Sequence, residues 1–382
     1  MKNRKLIIMI LNCIMIITAI TFVIMFGISG YGRPQGPQHI SLYDFNYIYS
    51  AGKEWLSGLN PYVGGLPYPP NSSSLFMLLS VTDLQTSRIL FIMINIFCIM
   101  VFVYLCMKLY NFENKNKQFF LFDFKSSLLI AMIVGNVFIV NILWTGQTTI
   151  LFSTALLASY YFYIRSYDIR SGILLAIALI KPQLAYTFLL WLLLEKKWKT
   201  LATAIISTAI LGIVPIYNRG IITAVQDWTN NLNNYVQSLH SEHLWVLFGL
   251  KPLLLDFEIR TNSLIIFACS MVLVILIHQF HKDISKLKLL GILTIIGLLL
   301  GQAGQYDVLI IASLLPYYFI NISNKDFNKI ILLCLMFIII NFPRKLLLLS
   351  DCRILHHHRE IILIIVLFFL LFRREEQPIS SY

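Results

Sequence analysis

Ile89-Leu90-Phe91-Ile92-Met93-Ile94-Asn95-Ile96-Phe97-Cys98-Ile99-Met100-Val101-Phe102-Val103-Tyr104-Leu105-Cys106-Met107 carries no charge between Arg88 and Lys108. A helix needs about 20 residues to cross the hydrocarbon core of a bilayer. No water reaches that depth to satisfy an open backbone, so such a run is a helix or part of a closed barrel. Apolar and polar residues do not alternate here, which excludes the barrel. Similar runs recur at 6–27, 126–144, 148–164, 171–194, 200–217, 262–281, 288–303, 305–322, 329–348 and 361–372. Across all 382 residues, 58% are hydrophobic and 13% charged, where soluble domains carry about 25% charged residues. The expected fold is an all-α polytopic membrane protein, one integral-membrane unit over 1–382 with about 10–12 transmembrane helices.

Two stretches do not fit a plain span. Ser72 to Val81 is too short and reads as an interfacial helix. The run 171–194 is interrupted by Lys181-Pro182, and a proline inside a helix breaks it, so it reads as two half-helices that enter and leave on one side. With these assignments the cytoplasmic loops hold about twice as many Lys and Arg as the outer ones, with clusters at 108–125, 196–199 and 282–288. The expected topology is therefore multi-pass in the inner membrane with a cytoplasmic N-terminus. The first run follows Lys2, Arg4 and Lys5 and is expected to be a retained span, not a cleaved signal. The outer side then holds a first loop over 28–74, a second over 218–260, short turns at 141–147 and 301–307, and a last loop at 350–360.

The net charge of +12 is spread between apolar runs in twos and threes, which argues against nucleic acid as a partner. The six cysteines have no paired spacing and read as small buried hydrophobes. No glycine-rich phosphate loop follows a strand. With short cytoplasmic loops, no soluble nucleotide domain is expected, and membrane lipids are the surroundings.

The first outer loop contains Tyr43-Asp44-Phe45-Asn46-Tyr47-Ile48-Tyr49-Ser50-Ala51-Gly52-Lys53-Glu54-Trp55-Leu56-Ser57-Gly58-Leu59-Asn60-Pro61-Tyr62. Tyr47/Ile48, Ala51 and Trp55 share a face at helical spacing, predicting a helix over 45–57 that stops at Gly58. Asp44 sits where an N-cap belongs; a carboxylate held at the membrane boundary is also a candidate general base. Lys181 lies within an apolar segment, where a charge costs about 2.5–3.5 kcal/mol, so a functional partner is expected besides simple snorkelling to headgroups. Gln147 and Gln305 stand at outer turns, suited to sugar hydroxyls. Tyr306 and Asp307 open the late span, where Asp307 serves either as a second carboxylate of the site or as a helix cap. In the second outer loop Trp228, Tyr235, His240, His243 and Trp245 form a candidate acceptor region, and His356-His357-His358 reads as a surface cluster.

The run from Asp44 to Tyr62 followed by Tyr68-Pro69-Pro70 resembles the signature of glycosyltransferase family eighty-seven, membrane enzymes of the GT-C group typified by polyprenol-phosphate-mannose-dependent mannosyltransferases. Trp144-Thr145-Gly146-Gln147, Ile180-Lys181-Pro182-Gln183 and Gln305-Tyr306-Asp307 follow in the same order. The resemblance implies a GT-C-like bundle and an inverting hexosyltransferase of the cell envelope, moving a sugar from a polyprenyl phosphate to a lipid or glycan acceptor on the outer face. It implies Asp44 as base, Lys181 as the partner of the donor phosphate, and Tyr47, Asn60, Tyr62, Tyr68, Gln147, Gln305, Tyr306 and Asp307 as substrate-binding residues. No metal and no cofactor are expected, the lipid-linked sugar being a substrate. The turn Gly301-Gln302-Ala303-Gly304-Gln305 lacks a histidine often found there in the family, which leaves Asp44 as the candidate base. The alternative is a transporter of a lipid-linked sugar, which uses the same charges without chemistry; internal repeats expected of many transporters are not seen.

Overall fold

The computed structural model describes residues 2–29, 42–113, 123–242, 247–280, 284–301, 303–321, 327–350 and 352–372. The fold is almost entirely helical. In chain order the helices are α1 Lys2–Val23, α2 Tyr43–Leu56, α3 Ser73–Leu79, α4 Leu84–Glu113, α5 Phe124–Val134, α6 Val137–Thr145, α7 Thr149–Ile164, α8 Asp168–Ala178, α9 Pro182–Leu194 and α10 Trp198–Leu211. Next come α11 Ile213–Arg219, α12 Ile221–Glu242, α13 Leu250–Asp256, α14 Ser263–Phe280, α15 Lys286–Leu300, α16 Leu315–Asn321, α17 Phe327–Asn341, α18 Arg344–Leu347, α19 Arg353–His356 and α20 His358–Phe372. A 3-10 helix, Gln305–Leu314, precedes α16, and β1 (Leu247–Phe248) pairs antiparallel with β2 (Ala303–Gly304).

Among the described residues four helical stretches are long and apolar enough to cross a membrane: Met9–Ile28, Leu84–Glu113, Phe124–Thr145 and Ser263–Phe280. Shorter apolar helices are Thr149–Ile164, Pro182–Leu194, Gln305–Ile320 and Asn328–Asn341. The segment read as a single span over 200–217 is instead bent by 63° between α10 and α11, and the helix expected over 329–348 stops at Asn341.

Polar contacts gather the helix ends into two groups. At one end Lys125 Nζ donates to the Phe319 carbonyl (3.2 Å), Leu287 N donates to Glu113 (3.0 Å), Glu195 meets His278 (3.2 Å) and Thr200 bonds Asp168 (3.1 Å). At the other, Leu42 N reaches the Trp144 carbonyl (2.7 Å), Asn60 bonds Asp227 (3.2 Å), Trp228 bonds the Pro67 carbonyl (3.1 Å) and Arg344 bonds the Leu247 carbonyl (3.1 Å). Asp168 and Glu195 belong to the first group, whereas Lys181 between them belongs to the second. Helices α8 and α9 are therefore half-helices that rise from one end and return to it, as the Lys181-Pro182 interruption predicts. Lys181 itself leaves the helical region (φ −115, ψ 78), which is disfavoured for a residue before proline.

Lipid-exposed helices gain little from hydrophobic association, so small residues and interhelical hydrogen bonds decide their packing. Between α7 and α8, Ser159 Oγ donates to the Ser171 carbonyl (2.8 Å) and Ser171 Oγ to the Ser159 carbonyl (2.9 Å). Gly172 lets α8 approach α10 so closely that a Cβ there would lie 2.6 Å from the Thr200 carbonyl oxygen. These contacts pin α8 between α7 and α10, below the end that gathers the polar turns.

Candidate functional site

Helix α2 buries Phe45, Ile48, Ala51, Gly52 and Trp55. Tyr47, expected on that face, is instead 52% exposed, and its hydroxyl bonds that of Tyr43 (2.8 Å). Leu42 is the residue that caps α2, in the left-handed region (φ 62), so Asp44 lies inside the first turn and makes no side-chain cap. Its carboxylate goes elsewhere. Gly146 takes a positive φ of 77 after α6, and a Cβ there would lie 2.7 Å from Phe45 Cβ. The glycine lets α2 dock on the turn after Trp144, and Gln147 Nε2 then donates to Asp44 Oδ2 at 2.7 Å. Among the described residues no cation pairs with Asp44. Burial pushes its carboxyl above the usual 3.8, opposed by the Gln147 and Thr145 side chains and the charge of Lys181.

Lys181 meets Asp307. Its Nζ lies 2.7 Å from Asp307 Oδ1, with the two side chains 8% and 1% exposed. Nζ also donates to Thr149 Oγ1 (2.7 Å), and that hydroxyl donates to the same Asp307 oxygen (2.9 Å). Oδ2 accepts from Gly304 N (3.0 Å) and Gln183 Nε2 (3.4 Å). Asp307 is thus both the cap of its helix and a carboxylate of the site. Lys181 does not simply snorkel; an internal carboxylate compensates its charge.

One turn joins these parts. Gln147 holds Asp44, Thr148 Oγ1 bonds Tyr68 OH (2.8 Å), and Thr149 bridges Lys181 and Asp307. Four segments distant in sequence converge on three consecutive side chains. Thr148 and Thr149 were not among the residues singled out from the sequence; two hydroxyls opening an apolar run look like an ordinary helix start, and only the polar triplet after Gly146 marks them.

The other expected residues lie apart from this centre. Asn60 bonds Asp227 on α12, which also pairs with Arg219 (3.0 Å). Tyr62 is buried against Trp55, ring centroids 6.2 Å apart. Trp228 and Asn231 of α12 bond the Pro67 and Leu66 carbonyls, so α12 is fastened over the 60–68 segment. The side chains of Tyr235, His240, His243 and Trp245 fall outside the described residues. Gln305 Oε1 accepts from Arg359 (3.2 Å), and Tyr306 packs against the main core. The three histidines are not a surface cluster: His357 is 2% and His358 8% exposed. His357 lies between Arg344 (3.2 Å) and Asp256 (3.2 Å), an internal network in which burial is repaid by hydrogen bonds. Among the described residues no group of three or more His, Cys, Asp or Glu is placed to hold a metal ion. An apolar recess lined by Met132, Val308, Ile311, Leu315, Phe337 and Leu363 flanks the 3-10 helix and contains none of the Asp44, Lys181 or Asp307 chemistry.

Chemically, the centre offers one carboxylate without a counter-charge, one lysine held in register by a compensated carboxylate, and hydroxyl and amide donors between them. No curated protein and no solved structure matches the chain. The family model described as glycosyltransferase family 87 matches residues 66–300, a span that includes Tyr68, Gln147 and Lys181 and leaves Asp44 and Asp307 outside. That is more than half of the sequence, and the chain belongs to glycosyltransferase family 87, membrane glycosyltransferases.

Proposed function

We propose that this chain transfers a sugar from a polyprenyl phosphate to an acceptor hydroxyl on the outer face of the inner membrane, with inversion at the anomeric carbon. The observation that carries this is the unequal treatment of two carboxylates at one turn: Asp44 has the neutral Gln147 and Thr145 side chains, while Asp307 has Lys181, Thr149 and Gly304 N. The acceptor oxygen bonds to the anomeric carbon as the bond from that carbon to the phosphate oxygen breaks. Asp44 takes the acceptor proton, which its raised affinity for a proton favours. The leaving phosphate gains a negative charge, and Lys181 faces it as a preorganised cation. Asp307 holds Lys181 in place through the 2.7 Å ion pair. The excess of Lys and Arg in the loops assigned to the cytoplasm supports an outer-side location for this centre.

The test uses radiolabelled sugar on a set of polyprenyl phosphates, presented to membranes carrying the chain, with the anomeric configuration of the product read by NMR. Transfer with inversion is expected, and Lys181→Gln abolishes it. Translocation of a lipid-linked sugar with no transfer in membranes that supply acceptor would assign the chain to transport.

A further inference from the structure

Helix α12 meets three different surroundings along its first three turns. One side faces the 60–68 loop: Asp227 accepts from Asn60 (3.2 Å), Trp228 Nε1 donates to the Pro67 carbonyl (3.1 Å), and Asn231 donates to the Leu66 carbonyl. Thr223, Gln226, Asn230 and Asn234 make a second side, polar and exposed. Ile221, Ile222 and Val225 make a third, which is apolar and also exposed, Ile222 to 71%. At 3.6 residues per turn these three sets fall on separate sides of one cylinder. The apolar side would be unfavourable bare in water, so it calls for an apolar neighbour.

The surface beside it shows which neighbour. Helices α10 and α11 are together apolar enough to cross a membrane, and α10 exposes Ile205, Ile206 and Ile210. Past the 63° bend, α11 continues with exposed Ile213 and Tyr217, and Gly220 (φ 78) turns the chain into α12. Exposed apolar side chains therefore run on from a lipid-facing helix into the first two turns of α12. The chemistry of that contact is narrow. Interfacial helices drawn to anionic lipids carry Lys and Arg on their polar side, whereas α12 has neither, and its Asp227 is paired with Arg219 (3.0 Å). We propose that α12 lies in the membrane–water interface at the Asp44 end of the bundle, with Ile221, Ile222 and Val225 seated in lipid by apolar burial and no requirement for anionic headgroups. A helix of this kind sinks its apolar side about 5–10 Å into the boundary between headgroups and acyl chains. Through Trp228 and Asn231 it holds the 60–68 loop, and with it Tyr68 beside Thr148, at the height of the lipid headgroups.

The test places the full-length chain in phosphatidylcholine nanodiscs, with an environment-sensitive NBD fluorophore on Ile222→Cys, Val225→Cys or Asn230→Cys. The exposed Cys269 and Cys352 are replaced by serine, and the parent without an added cysteine gives the background. Quenching is read from lipids brominated high on the acyl chain and from aqueous iodide. At 222 and 225 the emission is expected to shift to the blue, to lose intensity to brominated lipid and to resist iodide. At 230 the pattern is expected to reverse. Adding phosphatidylglycerol, or raising the salt, is expected to leave the lipid quenching unchanged. Iodide quenching at 222 and 225 without lipid quenching overturns the proposal, because that side then faces water. Protection from both quenchers also overturns it, because another segment of this chain or a second copy then covers the side. Lipid quenching that appears only with phosphatidylglycerol overturns the apolar basis of the seating. Two labels on the lipid side keep the test decisive if one variant does not fold. None of these readings needs transfer activity, so a failure of the proposed reaction leaves this inference standing.

Discussion

Asp44 and Asp307 stand at the same end of the bundle and are held by neighbouring residues of one turn, yet their surroundings are opposite. Asp307 is 1% exposed and receives an ammonium, a hydroxyl and a backbone N–H. Asp44 is partly exposed, receives the neutral Gln147 and Thr145 side chains, and has no paired cation among the described residues. Burial raises the proton affinity of Asp44, opposed by the neutral Gln147 and Thr145 side chains and the charge of Lys181. In the proposed transfer the contrast divides the labour: Asp44 takes the acceptor proton, and Asp307 holds Lys181 toward the donor phosphate.

The most severe outcome is expected at Asp44. Asp44→Asn keeps the shape and the contact to Gln147 and should lower transfer about 10²–10⁴-fold, the range for loss of a general base, with an unchanged thermal midpoint. Asp307→Ala should act on folding as well as turnover, destabilising by about 3–5 kcal/mol because Lys181 is left buried and unpaired; unfolding in detergent measures it. Lys181→Met combined with Asp307→Leu sharpens the comparison, since removing both charges should recover most of that stability while transfer stays absent. Thr149→Val, which strips the shared hydroxyl from the ion pair, should cost about 1–3 kcal/mol. Tyr47→Phe is the smallest, within about 0.5 kcal/mol and with transfer retained, because the exposed Tyr47 hydroxyl bonds only Tyr43. A large loss there would mean that the acceptor crosses the outer face of α2.

Much of this was legible in the sequence. The break at Lys181-Pro182 predicts the half-helices because proline cannot continue a helix, and the four polar motifs mark the turns that converge. The partners of those motifs were not legible. Lys181 and Asp307 are 126 positions apart, and nothing local in either segment encodes their meeting. Asp44 looks like an N-cap from its neighbours alone; the left-handed Leu42 and the close approach permitted by Gly146 redirect it to Gln147. His356 to His358 read as surface because polar runs between apolar segments usually are. The burial of His357 depends on Arg344, Asp256 and Glu360, each from a different helix. Asn60 and Tyr62 were taken with the chemistry on motif alone; Asn60 bonds Asp227 of α12, and Tyr62 packs against Trp55 of α2.

The pH dependence of transfer in wild type and in Gln147→Ala tests the role of Asp44 most directly. A base must be ionised to act, so activity should be present above the Asp44 pKa and fall as pH drops through it. Burial has pushed that value above 3.8, and the Gln147 hydrogen bond restrains it. The account predicts an acid limb of kcat/KM above pH 3.8 that moves to higher pH in Gln147→Ala. An acid limb that stays in place when Gln147 is removed would contradict it, since the titrating group would then not be the carboxylate that Gln147 holds.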